Sequence, residues 1–127
     1  MKALLDTHTF LWAITNDSRL SRKAKQVFTG PNDLWLSTAS VWEIVAQVHR
    51  GRLSLPLPAG PYVVKKLAEN NIEWLPITLD HVLRLESLPG HHRDPVDRIL
   101  IAQSLEEKLP LVTADTQFER YSIELIW

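Results

Sequence analysis

The sequence predicts an α/β fold in three layers, α/β/α, around a central and mainly parallel sheet of about five strands, forming a single domain over residues 1–127. Three observations predict it. Short apolar runs recur along the chain and alternate with stretches whose apolar residues fall three and four apart, the periods of buried strands and of one-sided helices. Strands that alternate with helices call for a parallel sheet covered on both faces. With 127 residues, 45% of them apolar, one core can form without metal or disulfide staples.

Lys2 to Asp6 is an apolar run ending in an acid, and His8 to Ile14 then reads as a helix, so the chain opens strand, turn, helix. Asn16-Asp17-Ser18 breaks the pattern. Ser21 caps a second helix with Leu20, Ala24, Val27 and Phe28 on one face, Arg22, Lys23 and Lys25 facing outward, and Gly30-Pro31 as its stop. Leu34 to Ser37 is a buried strand, followed by a helix from about Thr38 to His49 with Val41, Ile44, Val45 and Val48 at helical spacing. Gly51 to Gly60, with Pro56 and Pro58, is an extended connection. Pro61 to Asn71 returns to helix with Val63, Val64, Leu67 and Ala68 on one side, and Ile72 to Leu75 is the third strand. Thr78 caps a helix with Leu79, Val82 and Leu83 as its apolar face, closed by Pro89-Gly90. The next helix runs from about Pro95 to Lys108 with Ile99, Leu100, Ile101, Ala102 and Leu105 inward. Leu111 to Thr113 is a compact strand, a short helical piece holds Phe118, and Ser122 to Trp127 is the last strand.

Composition excludes several classes. There is no cysteine, which removes disulfides, thiolate metal sites and a cysteine nucleophile. A formal net charge of -1 confines any nucleic-acid contact to local patches. No window approaches a membrane span, and the acid at Asp6 comes too early for a signal peptide, so a cytoplasmic protein without membrane contact is expected. With only four glycines, there is neither a phosphate-cradling glycine loop nor a serine hydrolase elbow.

The chemistry concentrates on acids. Asp6 and Asp115 each close a strand, Asp97 begins a helix, and Glu43 lies about a turn into the helix after the second strand, so all four can approach one rim of the sheet. Each also has a local explanation. Asp94-Pro95 is a helix start, with Asp97 suited to the macrodipole. Asp6 can cap the helix near Thr7, Asp115 can make a side-chain turn, and Ser40-Val41-Trp42-Glu43 has the spacing of a capping box. Separate capping does not require acids to recur at successive strand ends. Clustered carboxylates repel and need a cation, and Mg²⁺ or Mn²⁺ takes oxygen ligands and activates water against a phosphodiester.

The segments Leu4-Leu5-Asp6-Thr7-His8, Trp42-Glu43-Ile44, Asp94-Pro95-Val96-Asp97-Arg98 and Thr113-Ala114-Asp115-Thr116-Gln117-Phe118 resemble, in order, the motifs of PIN-domain ribonucleases, and most closely those of VapC toxins. The resemblance runs from Leu4 to Ile126-Trp127. It implies a PIN-like fold and a cytoplasmic endoribonuclease that depends on Mg²⁺ or Mn²⁺ and uses metal-activated water without a covalent intermediate. Asp6, Glu43, Asp97 and Asp115 match the four acidic site residues, with Asp6, Asp97 and Asp115 as metal ligands and Asp94 as a supporting acid. The family further implies a homodimer and a cognate VapB-like antitoxin that covers or enters the acidic site. His8 stands where the family often has asparagine, and Gln47 where related members have lysine, which bears on any substrate contact there.

Around these acids, Thr7 and Thr113 are candidates to hold waters or carboxylates, and Arg98 to pair with one of the acids. His91, His92, Arg93, Arg50 and Arg52 are candidates for RNA phosphate contact. The five tryptophans are assigned to core or interface. Two other classes compete. In an aspartyl-phosphate phosphatase Asp6 would be the nucleophile, but the second acid such enzymes place two residues on is here His8. In a non-catalytic interaction module the acids would only cap helices.

Overall fold

Five strands, β1 (Lys2–Leu5), β2 (Asp33–Ser37), β3 (Ile72–Leu75), β4 (Leu111–Val112) and β5 (Leu125–Ile126), pair in the order β3-β2-β1-β4-β5, and every pair is parallel. The computed structural model describes residues Met1–Trp127. Six helices connect the strands: α1 (Thr7–Ile14), α2 (Arg22–Thr29), α3 (Thr38–His49), α4 (Ala59–Glu69), α5 (Leu79–Arg84) and α6 (Pro95–Glu107), with 3-10 turns at Leu85–Ser87 and Thr116–Arg120. The expected sheet is present, although its last strand contracts from Ser122–Trp127 to the two residues paired with β4.

Alternation within each strand divides the core in two. Ala3, Leu5, Leu34, Leu36, Val112 and Ile126 point to one face, where Phe10, Val27, Ile44, Val63 and Leu67 from α1 to α4 cover them. Leu4 and Leu111 point to the other, against Leu100 and Ile101 of α6 with Phe118 and Tyr121. Leu100 is completely buried, so Leu100→Ala is expected to cost about 2–5 kcal/mol of stability, read as a lower urea midpoint at unchanged slope.

Two local readings change. Leu79, Val82 and Leu83, the apolar face predicted for α5, are 70%, 46% and 56% exposed, while His81 is buried. Reciprocal bonds orient the helix: Thr78 N donates to His81 Nδ1 at 3.0 Å and His81 N to Thr78 Oγ1 at 3.3 Å. In α3 the serine-to-glutamate spacing forms no cap. Ser37 caps the helix, accepting from Ala39 N at 3.0 Å, which leaves Ser40 buried as the acceptor for Thr7 Oγ1 at 2.8 Å.

Helix α6 is anchored at both ends. Asp94 is its N-cap and Pro95 follows, and Lys108 closes it in the left-handed conformation at φ 55°. The Ser104 hydroxyl donates to the Leu109 carbonyl. Buried Gln103 donates through Nε2 to the carbonyls of Leu75 (3.4 Å) and Pro76 (3.3 Å), fixing α6 to the end of β3.

Candidate functional site

The order of strands changes direction beside β1, which has β2 on one side and β4 on the other. In parallel sheets, the crevice beyond the strand carboxyl ends at such a point is where ligands bind. Asp6 leaves β1 there and caps α1, its Oδ1 accepting from His8 N at 3.1 Å. Its Oδ2 accepts from Thr113 Oγ1 at 2.5 Å, which ties the end of β1 to the end of β4. Asp115 follows β4 and caps the Thr116–Arg120 turn through Oδ1, which accepts from Gln117 N at 2.9 Å, while its own N–H donates to Thr113 Oγ1 at 3.0 Å. Thr113 therefore organises two acids.

Asp97 stands in the first turn of α6, its backbone N–H donating to Asp94 Oδ1 at 3.0 Å. With Asp94 engaged as the cap, the Asp97 carboxylate is free to turn toward the sheet rim. Glu43 comes from α3, half-buried, and is close enough to feel the charges of Asp94 and Asp6. Capping and clustering are both real: Asp6, Asp94 and Asp115 each cap an element, and the elements they cap converge.

The electrostatics follow from that convergence. Burial pushes the Asp97 carboxyl up to about 8, with Asp94, Asp6, Glu43 and Asp115 adding to the rise. Asp6 is also raised, mainly by burial, against the hydrogen bonds from Thr113 and His8. Burial raises Glu43, and the charges of Asp94 and Asp6 add to the rise. These groups cannot all carry charge unless a cation joins them. An all-carboxylate oxygen set on a partly buried rim is the donor chemistry that a hard divalent ion such as Mg²⁺ or Mn²⁺ selects. The donor chemistry of this rim fits a hard divalent cation.

The surrounding residues separate. Arg98 pairs with no acid; it donates to the carbonyls of Pro89 (3.0 Å), His92 (3.2 Å) and Leu85 (3.3 Å), clamping the loop before α6. Its fork gathers three carbonyls where the chain turns into the helix. His91 and Arg93 are exposed, as are Arg50 and Arg52. His92 is not a surface cation. It is 7% exposed, and its Nε2 lies 3.1 Å from Asp97 Oδ2 and 3.4 Å from Asp115 Oδ2. The adjacent His91 and Arg93 make His92 look like part of a solvated run, and no sequence signal distinguishes it. A groove leads from the acids along α3, lined by Trp42, Glu43, Gln47, Arg50, Arg52 and Asp94.

A parallel five-stranded sheet with acids at its switch point already defines a class, and the PIN domain model matches residues 3–124. The chain belongs to the PIN domain family. Ribonuclease VapC22 of Mycobacterium tuberculosis is 28% identical over 119 residues, covering 93% of this chain and 90% of that protein. Among solved structures, VapBC2 from Rickettsia felis bound to a DNA fragment from its promoter superposes with a TM-score of 0.70 at 16% identity, covering 98% of this chain and 97% of that one. DNA-bound VapBC from Salmonella typhimurium gives 0.70 at 19% identity, covering 98% and 96%. The structural likenesses carry the fold, and no helix of the chain is long and apolar enough to cross a membrane.

Proposed function

We propose that this chain is a divalent-metal-dependent endoribonuclease of the VapC kind, one nuclease domain over residues 1–127, acting in the cytoplasm as the toxin of a VapBC-type pair. The observation that carries the reading is the meeting of Asp6, Glu43, Asp97 and Asp115 at one rim, with the Asp97 carboxyl lifted to about 8 by burial and by its acidic neighbours. The PIN family match and the likeness to Ribonuclease VapC22 support it.

Asp6, Asp97 and Asp115 would hold Mg²⁺ or Mn²⁺, which when bound supplies charge neutralisation at the scissile phosphate and activation of water. The Thr113 hydroxyl donates to the Asp6 carboxylate and accepts from the Asp115 backbone N–H, which ties the two residues together. Glu43, across the rim, would take or return a proton through its carboxylate oxygens, a role supported by the burial that makes it a better proton holder than a free glutamate. The phosphatase alternative is not favoured: both Asp6 oxygens already accept hydrogen bonds, and residue 8 is histidine rather than an acid.

RNA would approach along the groove of Trp42, Arg50 and Arg52, where local positive charge offsets the formal net charge of -1. Arg50→Ala with Arg52→Ala is expected to weaken RNA binding regardless of sequence. On single-stranded RNA the salt slope of log Kd should fall by about 0.7 for every phosphate that an arginine no longer neutralises, measured by fluorescence anisotropy. A VapB-like antitoxin would cover the acidic rim. The exposed Leu79, Val82 and Leu83 of α5 offer apolar surface for a homodimer.

The test is direct. Purified chain is incubated with mixed cellular RNA and Mg²⁺, and the new ends are mapped, with and without a co-expressed partner. Internal cuts that vanish with chelator and with the partner are expected; intact RNA at all Mg²⁺ and Mn²⁺ concentrations would overturn the reading.

A further inference from the structure

His92, Asp97 and Asp115 bring one ligand-type atom each to within 4.8 Å of one another, an arrangement that resembles a mixed nitrogen and oxygen metal centre. The other ring nitrogen argues otherwise. His92 Nδ1 lies 3.3 Å from Asp94 N, whose N–H donates to it. A nitrogen that accepts carries no proton, so the ring's hydrogen sits on Nε2. Nε2 then has no lone pair for a metal. It has one N–H, which donates to Asp115 Oδ2 at 3.4 Å, while Asp97 Oδ2 lies against the same nitrogen at 3.1 Å.

We propose that His92 is a positioning residue: its Nε2–H holds Asp115 beyond β4 while the same ring nitrogen lies against Asp97 on α6, setting the spacing of the two carboxylates for the metal without ligating it. This rests on the metal-site reading above. This placement matters because the two acids come from different elements and repel each other. One ring nitrogen in contact with an oxygen of each fixes how close they come, and Asp97 Oδ1 remains without a protein partner.

The segment that carries the ring is itself held in place. His92 N donates to Tyr121 Oη at 2.8 Å, and the Tyr121 hydroxyl donates to the Pro89 carbonyl at 2.9 Å. Arg98 donates to the carbonyls of both Pro89 and His92. The imidazole packs on Phe118, ring centres 5.3 Å apart. Arg98 and Tyr121 thus serve the acids indirectly, by fixing the segment that carries the positioning ring. Outer groups of this kind orient carboxylate ligands, and their loss typically weakens metal affinity.

The experiment compares the parent with His92→Phe, which keeps a packed ring and loses the donor, and His92→Gln, which keeps an N–H donor. Mn²⁺ affinity is read from the free-ion EPR signal, ¹⁴N coupling from pulsed EPR, and RNA cleavage as separate kcat and KM. For His92→Phe the expectation is about 10–100-fold weaker Mn²⁺ binding and a lower kcat at unchanged KM. His92→Gln should recover most of the affinity, and the parent should show no directly coordinated nitrogen. If His92→Phe does not fold, His92→Leu serves the same comparison. Parent-like Mn²⁺ affinity in His92→Phe or His92→Leu, or a ¹⁴N coupling of direct ligation in the parent, overturns the positioning role. If that occurs while Asp97→Asn still loses Mn²⁺, the metal-site reading survives without it. A parent that binds no Mn²⁺ overturns both.

Discussion

Asp97→Asn is expected to reduce RNA cleavage by about 10²–10³-fold or more and, in the same protein, to raise the melting temperature of the metal-free chain at pH 8. The two effects have one cause. The Asp97 carboxyl sits among Asp94, Asp6, Glu43 and Asp115 in a partly buried rim, and its pKa is raised to about 8. Between the usual carboxylate range and that value the folded chain binds more protons than the unfolded one. Stability of the metal-free protein therefore falls as pH rises from about 4 to about 8 and levels off above. Asparagine keeps an oxygen for His92 Nε2 and removes the charge, so the loss with pH shrinks. At pH 8 the gain is on the order of a few kcal/mol, and hence a melting temperature higher by roughly 5 °C or more. Scanning calorimetry of both proteins in chelator at pH 5 and pH 8 checks it. Equal pH dependence in the two would mean that Asp97 is not the group under strain.

Divalent ions should produce the second large effect. An ion that binds only the folded state adds about 2.7 kcal/mol when its concentration is 100 times its Kd, equivalent to roughly 10 °C in a chain of this length. The gain should be much larger at pH 8 than at pH 5, because at pH 5 protons occupy part of the site and compete with the ion. Asp97→Asn should abolish most of it, and chelator should remove both the stabilisation and the cleavage. Melting curves with Mg²⁺ or Mn²⁺ across pH provide the measurement, and a melting temperature indifferent to both ions at pH 8 would contradict the site. Function and stability pull against each other here, since the acids that make a cation site are those the folded chain would be steadier without.

The sheet and its acids are legible because they are written locally. Leu4-Leu5-Asp6 and Leu111-Val112-Thr113 are runs that only a doubly covered strand accommodates, and an acid or threonine at the end of such a run has one place to be. Asp94-Pro95 marks a helix start by its chemistry alone, and the structure has Asp94 as the cap with Asp97 in the first turn. His92 is illegible for the opposite reason. Its burial depends on Tyr121 and Phe118, which come from the far end of the chain, and its partner Asp115 is 23 residues away. Arg98 misleads in the same way: an arginine beside acids suggests an ion pair, whereas three carbonyls of a tight approach loop claim it. The outward face of α5 follows from the hydrogen bonds between Thr78 and His81, which hydrophobic spacing does not encode.

The most direct test of the central claim, that Asp6, Asp97 and Asp115 form one divalent-ion site, is anomalous diffraction from crystals of the chain soaked in Mn²⁺. The account predicts a manganese peak bounded by those three carboxylates, with His92 beside it and outside the coordination sphere. An anomalous peak elsewhere on the molecule, with the rim between β1 and β4 empty and open to solvent, would contradict it.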